Sequence, residues 1–233
     1  MPDADRTRST VRPTIVFDFD GTIALGNGPI TAFAREIGRA AGDSTFAARA
    51  EHELELFEAG TGDYRDGYDA VTRTAVADGI TAEVTEAAYA ASRAQLAAGE
   101  IAVTPPQGLA DFLATLHTRA DLVLATNAPG EGVLATLAEW SLADAFDVTH
   151  FTVGKPAGLE RVLRDALAHG PVLSIGDIHE FDLAPAAALG ADTALVGATA
   201  ARSTAEVTLR AATLADLYDA ILAWADAAAS TPS

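Results

Sequence analysis

The chain of 233 residues carries 33 acidic and 15 basic residues, a net charge of −18, and no cysteine. Such a charge repels nucleic acids and anionic membrane surfaces, so we expect neither as a partner. The lack of cysteine excludes disulfides, thiolate zinc sites and cysteine nucleophiles. No uncharged stretch is long enough to span a bilayer. Residues 1–13 lack the apolar segment of a signal peptide, which predicts a flexible tail and a cytoplasmic location.

The first predicted element is a buried strand that ends in two carboxylates. Ile15 to Phe17 is apolar on both faces, which is typical of a strand in a parallel sheet covered by helices. Asp18 and Asp20 follow at its carboxyl end, where open α/β sheets bind ligands, and Phe19 between them points away. Two acids so placed repel each other, and a divalent cation is the simplest remedy. The alternative is a strand-to-turn junction with solvated aspartates.

Four helices with no strand between them are predicted next. Residues 26–29, Gly-Asn-Gly-Pro, indicate a turn or hinge. The predicted helices are Thr31–Ala41, Ser44–Glu58, Asp63–Asp78 and Thr81–Ala98. Ser44, Asp63 and Thr81 are suitable N-caps for the last three. We therefore expect an all-helical cap, residues 26–103, inserted after the first strand.

Strands and helices alternate over the rest of the chain. The predicted strands are Asp121–Ala125, Val148–Val153, Val172–Ile175 and Thr193–Val196. The predicted helices are Gly108–Thr118, Gly130–Glu139, Ala157–Ala168, one ending at Leu189, and Leu214–Ala229. This alternation predicts crossover units and an α/β fold with a doubly wound parallel sheet. The catalytic core is then residues 14–25 and 104–229, with residues 230–233 as a second flexible tail.

Lys155 is the only lysine beside fourteen arginines. A lysine in such a background indicates a need for a compact ammonium, which a planar guanidinium does not reproduce. Gly154 and Pro156 bracket it after a predicted strand, so we expect it on a loop at the sheet edge rather than in the core. The alternative is a chance survivor of biased codon usage.

Polar groups follow four of the predicted strands. They are Asp18 and Asp20, then Thr126, then Lys155, then Asp177 and Asp182. Because parallel strands end at one edge of a sheet, these side chains can converge. Carboxylates hold a hard cation, and a hydroxyl, an ammonium and loop amides hold phosphate oxygens. Taken singly, Thr126 could be a helix cap and Asp182 a first-turn acid. Together they predict a metal-assisted phosphoryl site.

These residues resemble the motifs of the haloacid dehalogenase (HAD) superfamily of phosphohydrolases. The first motif corresponds to Asp18-Phe-Asp-Gly-Thr22, the second to Thr126, the third to Lys155, and the fourth to Gly176-Asp177 with Asp182. The resemblance runs from Thr14 to about Ala198. It includes a helical cap of the C1 type, as in members similar to phosphoglycolate phosphatase.

The resemblance implies roles for the four acids. Asp18 would attack phosphorus and form an aspartyl phosphate. Asp20 would protonate the leaving oxygen and then deprotonate the attacking water. Mg²⁺ would be held by Asp18, the backbone carbonyl of Asp20 and Asp177, while Asp182 orients this metal site.

The resemblance also implies phosphate ligands and a substrate class. Thr126, Asn127 and Lys155 would bind the transferring phosphoryl group. We expect hydrolysis of a small-molecule phosphate ester by a monomer or homodimer. A phosphomutase or phosphotransferase of the same family stays open, and so does a non-catalytic phospho-acceptor module, although receiver domains order their acids differently. Asp20 argues against a dehalogenase, and the lack of a cap lysine argues against a Schiff-base phosphonatase.

Other charged residues are expected to be mostly solvated. One or two of the cap arginines could recognise an anionic group of the substrate, but the sequence does not say which. These arginines are Arg35, Arg39, Arg49, Arg65, Arg73 and Arg93. His179 and Glu180, in the fourth motif, could face the mouth of the site.

Overall fold

A computed structural model describes residues 11–230, and within them six strands form one parallel sheet. The strands are β1 (Thr14–Phe17), β2 (Asp121–Ala125), β3 (Val148–His150), β4 (Val172–Gly176), β5 (Asp192–Leu195) and β6 (Leu209–Arg210). Their order across the sheet is β3-β2-β1-β4-β5-β6. The chain thus winds outwards in both directions from β1, which confirms the predicted doubly wound α/β fold. The point where the winding reverses lies beside β1, where such sheets bind ligands.

Helices precede or follow each of the longer strands. They are α1 (Gly28–Ala41), α2 (Phe46–Glu58), α3 (Gly67–Ala77), α4 (Ala82–Ala97), α5 (Leu109–His117), α6 (Gly130–Glu139), α7 (Ala157–Leu167), α8 (Ala184–Ala188) and α9 (Tyr218–Ala229). A π-helical turn, His179–Leu183, precedes α8, and a 3₁₀-helical turn, Leu214–Leu217, precedes α9.

The central strands are buried on both faces. Ile15 and Phe17 belong to one apolar cluster, which also takes side chains from α5, α6 and α9. Val16 points to the other face and packs with α7 and α8. The alternation along β1 therefore divides the core into two layers, as the sequence predicted.

Helices α1 to α4 form a unit with its own apolar cluster. Phe33, Ile37 and Phe46 lie at its centre together with residues of α3 and α4. The two chain segments that join this unit to the sheet run side by side. The amide of Leu25 donates to the carbonyl of Thr104 at 2.8 Å, and the amide of Thr104 donates back at 2.9 Å. We propose this paired segment as the hinge of a cap made of residues 26–103.

Two of the predicted helix caps are wrong. The N-cap of α2 is Thr45 rather than Ser44, because Asp43 accepts the amide of Thr45 at 2.8 Å and shifts the start. Helix α3 begins at Gly67, and the carboxylate of Asp66, not of Asp63, accepts the amide of Asp69. Thr81 stands at the N-cap of α4 as predicted, but its side chain makes no capping hydrogen bond.

β4 differs from the prediction by one residue at one end and β5 by one residue at each end, and two other strands differ more. β3 ends at His150 instead of Val153, because the amide of Val153 leaves the sheet to bind the carbonyl of Thr126 at 3.1 Å. β6 was not predicted, since two residues carry no periodic pattern. It pairs with β5 at the edge of the sheet.

The described residues include only the last three residues, 11–13, of the predicted N-terminal tail. Residues 1–10 and 231–233 lie outside them. The carbonyl of Pro13 accepts the amide of Asp121, and the guanidinium of Arg12 donates to the carbonyl of Ala120. Residues 12 and 13 therefore contact the segment that leads into β2. Among the described residues, no helix combines the length and apolarity needed to cross a membrane.

Candidate active site

Asp18 and Asp20 lie on the loop that follows β1, at the C-terminal edge of the sheet. The amide of Asp18 donates to the carbonyl of Ile175 in β4 at 2.9 Å, which ties the loop to the neighbouring strand. Phe19 is fully buried in the core, while both aspartates line one cavity. The predicted alternation of these three side chains is confirmed.

Lys155 is buried between two carboxylates. Its Nζ lies 2.6 Å from Oδ1 of Asp18 and 2.7 Å from Oδ1 of Asp182, and its side chain is 3% exposed. Burial lowers the pKa of the ammonium, but Asp18 and Asp182 outweigh burial and raise the pKa above its ordinary value. The backbone is in a loop, as expected, but the ammonium is an internal charge, so the expectation that the residue lies outside the core is wrong.

Two glycines allow the acids to approach one another. A Cβ on Gly176 would lie 2.3 Å from Cβ of Asp182, and a Cβ on Gly21 would lie 2.2 Å from Oδ2 of Asp177. Gly21 also has a φ of +78°, which favours glycine. The glycine before Asp177 thus makes room for the side chain of Asp182.

Three acids form a candidate cation site. The carboxylates of Asp18, Asp177 and Asp182 offer oxygens within 4.8 Å of one another. Opposite ligands of Mg²⁺ lie about 4.2 Å apart, so a small contraction would place these oxygens around one ion. With the ammonium of Lys155 beside them, the three carboxylates would carry two uncompensated negative charges when all are ionised. This donor set and charge fit Mg²⁺.

The same crowding raises the pKa values of two of these acids. Burial raises the pKa of Asp18 to about 7; Lys155 opposes this rise and Asp182 adds to it. Burial, followed by the charges of Asp18 and Asp182, raises the pKa of Asp177 well above its usual range. A divalent cation among these carboxylates would favour their ionised forms.

Asp182 has a donor on each carboxylate oxygen. Oδ1 accepts from Lys155, and Oδ2 accepts the amide of Ile178 at 3.0 Å. The hydroxyl of Ser174 donates to the carbonyl of Asp182 at 2.8 Å, which ties this turn to β4. Asp182 therefore holds Lys155 and the loop carrying Asp177, which supports the indirect role expected for it.

Thr126 and Asn127 lie at the end of β2 and line the same cavity as Asp18. The hydroxyl oxygen of Thr126 accepts the amide of Ala128 at 3.0 Å, so its hydrogen remains a donor. The side-chain oxygen of Asn127 accepts the amide of Lys155 at 2.8 Å. Asn127 thus joins the loops after β2 and β3, which carry Thr126 and Lys155.

Arg93 resembles the other cap arginines in sequence, but the structure sets it apart. Its side chain is 6% exposed and points from α4 to the core, where it donates to Oδ1 of Asp20 at 3.0 Å and to Oδ2 at 2.8 Å. Nη2 also donates to the hydroxyl of Tyr68 at 2.7 Å. The helical spacing could have indicated this orientation. Arg93 follows Tyr89 by four residues and precedes Leu96 by three, which places it on the inward face of the helix.

The remaining charged candidates lie further from the acids. Arg65 stacks on the ring of Phe181 at 4.6 Å and lines the cavity. The other cap arginines are exposed and do not line it; they are Arg35, Arg39, Arg49 and Arg73. His179 and Glu180 do not line it either.

The cavity lies between core and cap and has a volume of about 270 Å³. The core contributes the acids, Lys155 and Thr126, and the cap contributes aromatic and basic side chains, among them Tyr68, Tyr89 and Arg93. A doubly wound sheet with a candidate cation site at its C-terminal edge, beneath helices inserted after the first strand, defines a capped α/β enzyme.

The chain belongs to the haloacid dehalogenase-like hydrolase family, whose model matches residues 13–190. This confirms the family suggested by the four motifs, and with it the hydrolase class. No match to this chain was found among curated proteins.

Solved structures share the fold at low sequence identity. YfnB from Bacillus subtilis, determined with bound magnesium, has a TM-score of 0.61 and 17% identity over 90% of this chain and 98% of its own. A protein from Lactobacillus plantarum, described as a candidate phosphoglycolate phosphatase, has a TM-score of 0.61 and 18% identity over 90% and 99%. CbbY from Rhodobacter sphaeroides, in complex with phosphate, has a TM-score of 0.58 and 21% identity over 88% and 96%. At these identities the likeness establishes the fold.

Proposed function

We propose that this hydrolase is a Mg²⁺-dependent phosphatase that cleaves a small phosphomonoester through an aspartyl phosphate on Asp18. The observation that carries the proposal is the ion-paired cluster at the edge of the sheet. Lys155 bridges Asp18 and Asp182, and Asp177 lies within reach of both acids. The names of structural neighbours agree with a phosphatase, since one is in complex with phosphate and another is described as a candidate phosphoglycolate phosphatase.

The acid cluster would hold the metal through Asp18 and Asp177, with Asp182 behind them. When bound, Mg²⁺ offsets the repulsion between an anionic nucleophile and an anionic phosphate. Lys155 supplies a further positive charge on the side of Asp18. The two oxygens of Asp18 have different partners. Oδ1 accepts from Lys155, and Oδ2 faces the hydroxyl of Thr22 at 3.4 Å.

The first chemical step forms the covalent intermediate. A carboxylate oxygen of Asp18 attacks phosphorus, and the bond from phosphorus to the ester oxygen breaks. Lys155 and the hydroxyl of Thr126 donate to the phosphoryl oxygens and hold them in line. Asp20 gives its proton to the leaving oxygen, so that an alcohol rather than an alkoxide departs.

The second step regenerates the enzyme. Asp20, now ionised, takes a proton from water while the water oxygen attacks phosphorus. The bond between phosphorus and Asp18 breaks, and inorganic phosphate leaves. Asp20 suits this work because its carboxylate lies two residues from Asp18, lines the same cavity and is not a member of the acid cluster.

The test is phosphate release from p-nitrophenyl phosphate. We expect steady turnover with Mg²⁺, none with chelator, and a loss of about 1,000-fold or more in Asp18→Asn, because an amide cannot act as the nucleophile. Asp144→Asn, an exposed aspartate outside the cavity, is the matched control and should retain activity. Full turnover by Asp18→Asn, or undiminished turnover in chelator, would contradict the mechanism.

A further inference from the structure

Arg93 binds the carboxylate of Asp20 from the cap with both of its terminal nitrogens. Nη1 donates to Oδ1 at 3.0 Å, and Nη2 donates to Oδ2 at 2.8 Å. Two parallel hydrogen bonds of this kind fix both the position and the plane of a carboxylate, which a single hydrogen bond does not. In the part of the chain that the structure describes, no other group donates a hydrogen bond to this carboxylate. Arg93 therefore sets the orientation of the Asp20 side chain.

Arg93 is itself held in place by the cap. Its side chain is 6% exposed, and Nη2 also donates to the hydroxyl of Tyr68 at 2.7 Å. The guanidinium carbon lies 5.3 Å from the ring centre of Tyr68 and 5.2 Å from that of Tyr89, and the two ring centres are 5.7 Å apart. Aromatic faces stabilise a desolvated guanidinium, and packing restricts its movement. The charge that binds Asp20 is thus preorganised.

The ion pair leaves Asp20 able to react. Each carboxylate oxygen can accept two hydrogen bonds and accepts one from Arg93, so each oxygen keeps a free lone pair. The side chain of Asp20 is 31% exposed and lines the cavity that also contains Asp18 and Thr126. A proton can therefore pass between Asp20 and a group in the cavity while the ion pair stays intact.

The charge of Arg93 also favours the proton transfer that the proposed mechanism requires. In the first step Asp20 gives its proton to the ester oxygen and becomes a carboxylate. Hydrogen bonds from a guanidinium to a carboxylate are about twice as strong as neutral ones, so the pair strengthens as the proton leaves. Arg93 is then a fixed positive charge beside the negative charge that develops on Asp20 in the transition state. In the second step the same two bonds hold the carboxylate in place for the attacking water.

We propose that Arg93 is the positioning residue for both proton transfers of Asp20, so that the cap completes the general acid of the core. The inference rests on the proposed function, in which Asp20 is that acid. It distinguishes Arg93 from Arg65, which lines the same cavity but pairs with Asp69 and stacks on Phe181. Loss of Arg93 should impair the steps that need a proton more than it impairs the binding of the phosphoryl group.

The experiment compares two esters of similar size whose leaving groups differ in basicity. Phenolate is a stronger base than p-nitrophenolate, so phenyl phosphate gains more from a general acid than p-nitrophenyl phosphate does. With Mg²⁺ and enzyme in excess, release of each phenol in a single turnover measures the first step alone. We expect Arg93→Gln to slow phenyl phosphate about 10-fold or more beyond its effect on p-nitrophenyl phosphate. Arg93→Lys keeps the charge but not the two parallel bonds, so it should show part of this selective loss.

A double variant tests whether Arg93 acts through Asp20. Asp20→Asn should by itself slow phenyl phosphate selectively. Adding Arg93→Gln to it should change the ratio of the two rates by less than about 2-fold, because the acid is already absent. Arg35→Gln, on the exposed face of α1 at 71% side-chain exposure, is the matched control and should change neither rate.

The outcomes separate this inference from the phosphatase proposal. Equal slowing of both esters by Arg93→Gln, or a further selective loss in the double variant, would overturn the positioning role and leave the phosphatase proposal standing. If Arg93→Gln does not fold, Arg93→Lys decides by the same ratio, and an unchanged ratio overturns the inference. An unchanged ratio in Asp20→Asn would reject Asp20 as the acid and this inference with it. No release of phenol from either ester by the wild-type enzyme would reject the phosphatase proposal instead.

Discussion

Replacing Lys155 with methionine would remove the charge of the buried cluster while keeping the length of the side chain. In the native protein the ammonium lies 2.6 Å from Asp18 and 2.7 Å from Asp182. The variant therefore has two adjacent buried carboxylates with no cation between them. We expect metal-free protein to lose stability, because breaking a buried ion pair leaves an uncompensated charge.

The free energy needed to protonate one carboxyl sets an upper limit on this loss of stability. An unpaired buried charge typically costs about 3 to 5 kcal/mol. The protein can escape that cost by protonating one carboxyl, which from an ordinary pKa of about 3.9 requires about 5 kcal/mol at about pH 7.5 and about 2 kcal/mol at about pH 5.5. We therefore expect a loss of about 3 to 5 kcal/mol near neutral pH that falls to about 2 kcal/mol in acid.

Urea unfolding in chelator, followed by circular dichroism at both pH values, measures this loss. Arg164→Met is the matched control, since Arg164 pairs with Glu160 at 3.5 Å on the surface with 63% side-chain exposure. It should cost less than about 1 kcal/mol. A Lys155→Met variant that lost under about 1 kcal/mol, or equally much at both pH values, would refute the reasoning.

A second variant tests whether the loss of stability comes from charge or from packing. Adding Asp182→Asn to Lys155→Met removes one of the two stranded carboxylates and keeps the oxygen that accepts the amide of Ile178. If electrostatics cause the loss, the double variant should be more stable than Lys155→Met by more than about 1 kcal/mol near neutral pH. No recovery would attribute the loss to packing instead.

Three further predictions concern the acids. Asp20→Asn should slow an alkyl phosphate far more than p-nitrophenyl phosphate in single-turnover assays, because only the poor leaving group needs the proton; equal slowing would exclude Asp20 as the acid. Since burial raises the pKa of Asp18 to about 7 and raises that of Asp177, proton-linked stability is lost as pH rises through about 7. Mg²⁺ should therefore raise the thermal midpoint more at about pH 7.5 than at about pH 5.5, and the reverse order would contradict the shifts. Gly176→Ala should lower stability by about 1 to 3 kcal/mol and reduce activity at least 10-fold, because its Cβ would overlap Asp182; a fully active variant would show that the loop can yield.

The fold and the acids of the site follow from local sequence patterns. A run buried on both faces requires helices above and below it, and parallel strands end at one edge, so Asp18, Asp177 and Lys155 could be placed together before their contacts were known. Gly176 and the spacing of the two acids that follow it, Asp177 and Asp182, predicted the same position for the site. These features are predictable because strand period and crossover handedness restrict the arrangements that a chain can adopt.

Burial and long-range pairing were decided by the tertiary structure. The sequence placed Lys155 on a loop, and only the folded chain shows its ammonium enclosed by Asp18 and Asp182. Arg93 looked like the other cap arginines, yet α4 turns it towards Asp20, 73 residues away in sequence. The physical reason is that a helix face has no fixed direction until it packs, so the side chain that becomes the buried one is chosen by contacts between distant segments.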